Sequence, residues 1–130
     1  MTTQVLVVDD AATVRYYHSQ LLTTAGFEVS EAANGLEAVE SAMTTDFDLF
    51  LVDVNMPIMD GYACVQTLRG ESVGTSAPIV MISTEDQAED ADRAYAAGAN
   101  LYMIKPVNGD RLVRMVGILT MPDAPLDSVS

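Results

Sequence analysis

The chain has 130 residues, of which 19 are Asp or Glu and 6 are Lys or Arg, so its formal net charge at pH 7 is −13. That length suits one domain, which would bury roughly two-thirds of the surface of the unfolded chain. The acidic balance opposes binding to a nucleic-acid backbone, the single Cys excludes an internal disulfide, and no apolar run reaches the ~18 residues of a membrane span.

The chain opens on an apolar strand followed by a helix. Residues 4–8 (QVLVV) form a continuous apolar run, typical of a strand buried on both faces, and Asp9 and Asp10 end it. Helical spacing begins at about Thr13, and Gly26 stands just past the last turn, where a left-handed cap is expected. The apolar face predicted for this helix consists of Val14, Tyr17, Leu21 and Ala25.

The next segments repeat this alternation. Residues 27–31 (FEVSE) alternate apolar and polar side chains, as in a half-buried strand, and Asn34 is a candidate cap for a second helix. Residues 49–52 (LFLV) form another buried run that stops at Asp53, and a loop marked by Pro and Gly covers residues 54–61. The apolar positions predicted for the second helix are Leu36, Val39, Ala42 and Met43.

The second half of the chain continues with a helix, a loop, a strand and a helix. The third helix is predicted to end near Arg69, before a loop over residues 70–77. Residues 79–82 (IVMI) form a strand that ends at Ser83, and Gly98 closes the helix that follows. The apolar positions predicted for this fourth helix are Ala88, Ala91, Ala94, Tyr95 and Ala97.

The last strand, residues 101–104 (LYMI), ends at Lys105-Pro106, a bond for which a cis peptide is possible although most such bonds are trans. The apolar stripe of the last helix consists of Leu112, Met115, Val116 and Leu119. We predict one domain over residues 1–119 and a flexible tail over residues 120–130. Five strands that alternate with five helices indicate an α/β fold, with a parallel sheet covered by helices on both faces.

Residues that carry chemistry end four of the five strands. In open α/β sheets, ligands bind at the carboxyl ends of the strands, near the point where strand order reverses. If these four strands lie side by side, three carboxylates, a hydroxyl and an ammonium converge: Asp9, Asp10, Asp53, Ser83 and Lys105. Taken singly, each has a plainer interpretation as a turn former, a helix cap or a solvated charge. Together they favour one shared site.

Such a site suits a magnesium ion and phosphoryl transfer. Neighbouring carboxylates raise one another's pKa or recruit a cation, and Mg²⁺ prefers oxygen ligands. The metal and Lys105 would neutralise charge on a transferring phosphoryl group, and Ser83 would donate to one of its oxygens. We choose Asp53 as the nucleophile because it stands alone on the middle strand.

Over residues 4–119 the sequence resembles the receiver domains of two-component response regulators, above all the stand-alone chemotaxis type. The features that carry the resemblance are the pair Asp9-Asp10, Asp53, the loop MPIMDG at residues 56–61, Ser83, Tyr102 and Lys105-Pro106. The loop is similar to the family signature MPxMDG, which is specific. The resemblance implies a flavodoxin-like (βα)5 fold with strand order 2-1-3-4-5.

The resemblance also implies a role for each site residue. Asp53 would accept a phosphoryl group from a phosphohistidine of a sensor histidine kinase or a histidine phosphotransfer protein. Asp10 would bind Mg²⁺ directly, Asp9 largely through water, and the backbone carbonyl of Asn55 would complete the protein ligands. The protein would catalyse only its own phosphorylation and dephosphorylation, and would not be an enzyme in the ordinary sense.

Further family positions imply a conformational switch and control over the lifetime of the phosphorylated state. Phosphorylation would draw Ser83 toward the phosphoryl oxygens, let Tyr102 turn inward, and remodel the surface of the fourth helix, fifth strand and fifth helix. Asn55 and Glu85 occupy the positions that tune phosphoryl lifetime, and two polar residues there imply quick self-dephosphorylation. Thr84 departs from the usual Ala or Gly, which leaves the transfer rates open.

Several partners and functions are compatible with the sequence. The expected target is a protein: a flagellar motor component, a relay phosphotransfer protein or a kinase, with no nucleic acid and no membrane. Residues 120–130 also suit a linker from an excised receiver to a lost effector.

A flavodoxin-like electron carrier is the alternative on the same fold, but Asp9 and Asp10 would repel a flavin phosphate. A phosphatase that works through an aspartyl-phosphate intermediate is a third possibility, but such enzymes usually carry a second acid two residues after the nucleophile, where this chain has Asn55. Without a basic leader at the N-terminus, we expect a cytoplasmic protein.

A few side chains carry weaker signals. The five acids within residues 85–92 are expected to be a solvated helix face, the alternative being a docking surface for a basic partner. Of the adjacent Tyr16 and Tyr17, one is expected to pack and the other to face solvent. His18 is expected at the surface, and Cys64 is expected to be packed or partly exposed.

Overall fold

The computed structural model describes residues 2–121, in which five strands alternate with five helices. The strands are β1 (Gln4–Val8), β2 (Glu28–Ala32), β3 (Leu49–Asp53), β4 (Ile79–Ser83) and β5 (Leu101–Ile104). The helices are α1 (Ala12–Thr24), α2 (Gly35–Thr44), α3 (Gly61–Arg69), α4 (Ala88–Ala97) and α5 (Gly109–Leu119). The tail predicted over residues 120–130 lies outside the described residues from residue 122 onward. No described helix is both long and apolar enough to cross a membrane.

The sheet is parallel throughout, in the order β2-β1-β3-β4-β5. This order confirms the predicted flavodoxin-like fold. The inner strands β1, β3 and β4 are buried along nearly their whole length, whereas the edge strand β2 is mostly exposed. Their different positions explain why the inner strands have continuous apolar sequences and β2 has an alternating one.

The sheet separates two hydrophobic cores, because successive side chains of a strand point to opposite faces. The face that packs against α2, α3 and α4 includes Leu6, Val8, Phe50, Val52 and Met81. The face that packs against α1 and α5 includes Val5, Val7, Leu51, Val80 and Ile82. The strand ends that carry the predicted site are therefore anchored on both sides of the sheet.

Helix ends form where the sequence predicts them. Gly26 and Gly98 have φ angles of +101° and +121°, in the region that only glycine enters without strain. Asn34 caps α2, because its side-chain oxygen accepts a hydrogen bond from the backbone N–H of Glu37 at 2.9 Å. These residues at helix starts and ends set the lengths of the helices that cover the sheet.

The predicted orientation of α1 is wrong by about one residue. The buried side chains are His18, Ser19 and Leu22, while Tyr16 and Tyr17 are both exposed, at 61% and 50%. The predicted face, which begins at Val14, has the more apolar side chains. The face that is buried instead carries the polar residues His18 and Ser19. Within residues 2–121, His18 Nδ1 and Ser19 Oγ are left without hydrogen-bond partners. A polar pair of this kind is invisible to hydrophobic periodicity.

Two other helices also bury smaller residues than predicted. In α2, Leu36 and Met43 are exposed, whereas Gly35, Ala38 and Val39 face the core. The reason is close packing: a Cβ at Gly35 would lie 2.9 Å from the Met59 sulfur. In α4 the buried positions are Ala94 and Ala97, and Tyr95 is exposed. Cys64 of α3 is fully buried, which agrees with the packed alternative.

Candidate functional site

The carboxyl ends of β1, β3, β4 and β5 lie side by side and bring the predicted site residues together. Asp9 follows β1, and its backbone N–H donates to the carbonyl of Ala32, which extends the ladder with β2. Asp53 ends β3 and pairs in register with Ile82, so Ser83 lies one residue farther along the neighbouring strand. Asp9, Asp53 and Ser83 are all buried. Burial of three polar side chains at one sheet edge is unusual without a function.

Lys105 joins the two buried carboxylates. Its Nζ donates to Asp53 Oδ1 at 2.7 Å and to Asp9 Oδ2 at 3.3 Å. The Lys105–Pro106 peptide is cis, and the Lys105 backbone N–H donates to the Ser83 carbonyl at 2.7 Å. The ammonium therefore reaches across β4 to the carboxylates on β3 and β1.

The site has more negative than positive charge. Carboxylate oxygens of Asp9, Asp10 and Asp53 lie within 4.8 Å of one another, and Lys105 is the one cation bonded to them among residues 2–121. A cluster of hard oxygen ligands suits Mg²⁺, which prefers carboxylate and carbonyl oxygens as ligands. Asp9, Asp10 and Asp53 would hold such an ion, and its charge would offset the excess of negative charge at the site.

The pKa values reflect this crowding. Burial raises the pKa of Asp53 above its ordinary value, and the charges of Asp9 and Asp10 raise it further, although the hydrogen bond from Lys105 opposes the shift. Burial by itself lowers the pKa of Lys105, but the bonds and charges of Asp53 and Asp9 outweigh it and raise the net pKa. The lysine therefore stays charged at neutral pH, and the carboxylates are only partly compensated.

The loop between β3 and α3 positions the site through Gly61. A Cβ at Gly61 would overlap the carbonyl oxygen of Asp53 and lie 2.7 Å from the Cα of Val54, so only glycine fits there. The neighbouring Asp60 caps α3 by accepting from the backbone N–H of Ala63 at 2.9 Å. The last two residues of the MPIMDG sequence thus let α3 start directly against the carboxyl end of β3.

The segment after β4 links Ser83 to Tyr102. Ser83 Oγ accepts from the Glu85 backbone N–H at 3.1 Å, and the Tyr102 hydroxyl donates to the Glu85 carbonyl at 2.8 Å. Burial raises the pKa of Tyr102, so its hydroxyl stays protonated and available as a donor. Asn55, Thr84 and Glu85 follow the ends of β3 and β4, and their side chains are exposed. Ser83 and Tyr102 therefore bond to the same residue, Glu85.

Sequence reasoning missed a second cation at this edge, Arg15. Arg15 donates from Nη1 to the Asp9 carbonyl at 2.8 Å and from Nε to the Glu31 carboxylate at 2.9 Å. The available signal was the strand order, because order 2-1-3 places the end of β2 beside the end of β1. The residues that end β2, from Glu31 onward, carry no signal in the sequence as distinctive as those that end the other four strands.

The prediction that His18 lies at the surface is wrong, because its side chain is buried beside the site. It lines a cavity of about 480 Å³ together with Thr84 and Lys105. Burial lowers the pKa of His18, the charge of Asp9 opposes this, and the charge of Lys105 reinforces it. The imidazole is therefore neutral and adds no positive charge beside Lys105.

Known proteins match both the sequence and the fold. The response regulator receiver domain family matches residues 5–117. The chain is 35% identical over 117 residues to the chemotaxis protein CheY of Bacillus subtilis, across 89% of this chain and 96% of that protein. It spans only about half the length of the curated transcriptional regulatory proteins that it also matches.

Two solved structures are similar in fold. Chemotaxis protein CheY4 of Vibrio cholerae has a TM-score of 0.86 and 36% identity, covering 92% of this chain and 99% of that one. The receiver domain of the sensor histidine kinase PA1611 of Pseudomonas aeruginosa PAO1 has a TM-score of 0.84 and 27% identity, covering 92% and 98%. In that second structure a magnesium ion is coordinated in the active-site cleft.

Proposed function

The chain belongs to the family of response regulator receiver domains, and on that premise we propose that it is a signalling module controlled by phosphorylation of Asp53. One observation carries this proposal. Asp53 is a buried carboxylate at the end of the central strand, bonded to Lys105 Nζ at 2.7 Å and grouped with two further carboxylates. A nucleophile beside an ammonium and an oxygen-rich cation site suits transfer of a charged phosphoryl group.

In the proposed reaction, an Asp53 carboxylate oxygen attacks the phosphorus of a phosphohistidine. The phosphorus–nitrogen bond breaks, and the imidazole nitrogen leaves with the bonding electrons. Lys105 Nζ and the Ser83 hydroxyl then donate to the phosphoryl oxygens. When bound by Asp9, Asp10, Asp53 and the Asn55 carbonyl, Mg²⁺ supplies charge neutralisation.

The same residues support a conformational switch. If Ser83 Oγ turns toward a phosphoryl group, the Glu85 N–H loses its acceptor, and the Glu85 carbonyl that holds Tyr102 shifts as well. We infer that this change frees Tyr102 to turn inward and remodels the surface formed by α4, β5 and α5.

Two exposed side chains are proposed to set the lifetime of the phosphorylated state. Asn55 and Glu85 are polar and follow the ends of β3 and β4, where they can hold an attacking water. Thr84, also exposed, lines a cavity with Lys105, and its methyl and hydroxyl groups would narrow access for small phosphodonors. Self-dephosphorylation is accordingly quick, and transfer from small donors is slower than from a protein donor.

The proposed partners are a phosphodonor protein and a protein target. A sensor histidine kinase or histidine phosphotransfer protein supplies the phosphoryl group, and the target binds the switched surface. Membership of the receiver family favours this function over the flavodoxin-like electron carrier.

The test is phosphorylation by acetyl phosphate with Mg²⁺, read by intact mass. We expect the wild type to gain one phosphoryl group that requires Mg²⁺, and Asp53→Asn to gain none. A phosphohistidine protein donor serves as a second donor, since Thr84 restricts small molecules. Failure of the wild type with both donors, or equal labelling of the variant, would refute the proposal.

A further inference from the structure

A pair of charged residues lies outside the set of site residues but holds one of its members. Arg15, on the first turns of α1, bridges the carbonyl of Asp9 and the carboxylate of Glu31 at the end of β2. We propose that Arg15 and Glu31 are positioning residues that hold the Asp9–Asp10 turn in the shape that binds Mg²⁺. This inference rests on the proposed function only through the binding of Mg²⁺ at that turn.

Every polar group of Asp9 is engaged in the structure. Its N–H donates to the Ala32 carbonyl at 3.1 Å, Oδ1 accepts from the Ala11 N–H at 2.9 Å, and Oδ2 accepts from Lys105. The remaining group is its carbonyl, which accepts from Arg15 Nη1 at 2.8 Å. Arg15 therefore provides the one side-chain contact to the peptide that joins Asp9 to Asp10 within residues 2–121.

Asp10 depends on that peptide for its position. Its side chain is exposed and makes no hydrogen bond to another residue in the described part of the chain. The backbone before it is held by Arg15, and the backbone after it is held by the contact from Ala11 to Asp9. The direction of the Asp10 carboxylate toward Asp9 and Asp53 is thus set by the turn and not by side-chain contacts of its own.

Glu31 in turn orients Arg15. Arg15 is less exposed than its partner, with side-chain exposures of 19% and 41%. A guanidinium donates from two nitrogens in fixed directions, so the bond to Glu31 aims the second nitrogen at the Asp9 carbonyl. Partners of this kind, one step removed from the metal ligands, typically change metal affinity 10–100-fold when they are lost.

Arg15→Gln is the deciding variant, because the loss of charge and the loss of positioning change the affinity for Mg²⁺ in opposite directions. Removing a positive charge beside a cation site strengthens Mg²⁺ binding through electrostatics alone. Loss of the hydrogen bond to the Asp9 carbonyl frees the Asp9–Asp10 turn and therefore weakens Mg²⁺ binding. Titrating MgCl₂ into the full chain by calorimetry, we expect about ten-fold weaker binding. Binding that is unchanged or tighter would overturn the inference.

Two further variants separate positioning from charge. Arg114→Gln removes the same charge from an exposed position on α5, and we expect no weakening; a loss as large as that of Arg15→Gln would overturn the inference. Arg15→Lys keeps the charge but lacks the planar fork, so we expect binding to be weaker than in the wild type. Wild-type affinity in this variant would also count against positioning. Thermal unfolding without Mg²⁺ verifies that each variant is folded.

The proposed function and this inference fail in different ways. A folded wild-type chain that binds no Mg²⁺ contradicts the proposed function, and the inference falls with it. A wild type that binds Mg²⁺, combined with an Arg15→Gln variant that binds equally well, contradicts the inference alone.

Discussion

The two ends of the sheet each hold a cation that is largely withdrawn from solvent, but the two cations meet different acceptors. At the amino ends of β4 and β5, Arg69 meets only neutral oxygens, at distances of 2.7–3.0 Å. Its acceptors are the backbone carbonyls of Thr75, Ala77 and Gly98 and the side-chain oxygen of Asn100. At the carboxyl ends, Lys105 meets the carboxylates of Asp53 and Asp9.

This contrast separates a structural cation from a functional one. Burial lowers the pKa of Arg69, and no carboxylate offsets it, so the guanidinium serves to satisfy partly buried carbonyls. Lys105 has a raised pKa because carboxylates outweigh its burial. The end with Arg69 is closed by neutral hydrogen bonds, whereas the end with Lys105 keeps an excess of negative charge for a ligand.

Replacing the structural cation is expected to have the largest effect on stability. Arg69→Met leaves the backbone carbonyls of Thr75, Ala77 and Gly98 without this donor, and we expect the free energy of unfolding to fall by about 3 kcal/mol. The side-chain oxygen of Asn100 still accepts from the Ile79 N–H. Urea denaturation measures the loss. Because Arg69 is remote from the carboxylates, the loss should be the same with and without Mg²⁺. A loss that Mg²⁺ reverses would contradict the division between the two ends.

Replacing the functional cation is expected to give a smaller loss that depends on Mg²⁺. Lys105→Met leaves Asp9 and Asp53 buried without their ammonium, which lowers the free energy of unfolding by about 2 kcal/mol. Saturating Mg²⁺ should recover much of this loss, because binding to the folded state stabilises it and the variant site is more negative. The comparison fails if Mg²⁺ stabilises this variant less than the wild type.

Most of the fold was predictable because its strongest signals are local. Continuous apolar runs identify the inner strands, since a strand buried on both faces needs no alternation. The site followed only in part from topology: in a parallel sheet all the carboxyl ends meet at one edge, but the strand order that makes Asp9, Asp53, Ser83 and Lys105 neighbours came from the resemblance to receiver domains. The roles of these residues stay proposals, as does the domain boundary at residue 119.

The misses share a physical cause. The orientation of α1 depends on His18 and Ser19, polar residues that a hydrophobic pattern assigns to solvent and that tertiary packing buries. The contact from Arg15 to Glu31 depends on how far a side chain reaches across two strands, which no local pattern contains. The isomer of the Lys105–Pro106 bond was left open, since cis and trans are close in energy, and the structure has the cis form.

The smallest expected change in the free energy of unfolding, on the order of 1 kcal/mol, is an increase. The substitution Asp53→Asn tests the excess of negative charge at the carboxyl ends of the strands. Asp53→Asn removes one of three crowded carboxylates while keeping an oxygen that accepts from Lys105, so we expect this variant to be more stable than the wild type at neutral pH. The pKa of Asp53 is raised in the folded state by burial and by Asp9 and Asp10. The folded state therefore holds this proton more tightly than the unfolded state does, and the wild type loses stability as pH rises through that window.

Below the ordinary carboxyl range Asp53 is neutral in both states, so the wild type and Asp53→Asn should be equally stable there. The advantage of the variant should appear as pH rises from that range through the raised pKa of Asp53, and stay constant above it. Thermal unfolding of both proteins across this pH range measures the difference, in which the other titrating groups largely cancel. Mg²⁺ should reduce or reverse the advantage, because it binds the wild-type cluster more tightly. A variant that is less stable at neutral pH would mean that the pair with Lys105 outweighs the crowding, and that this end of the sheet is as fully compensated as the end held by Arg69.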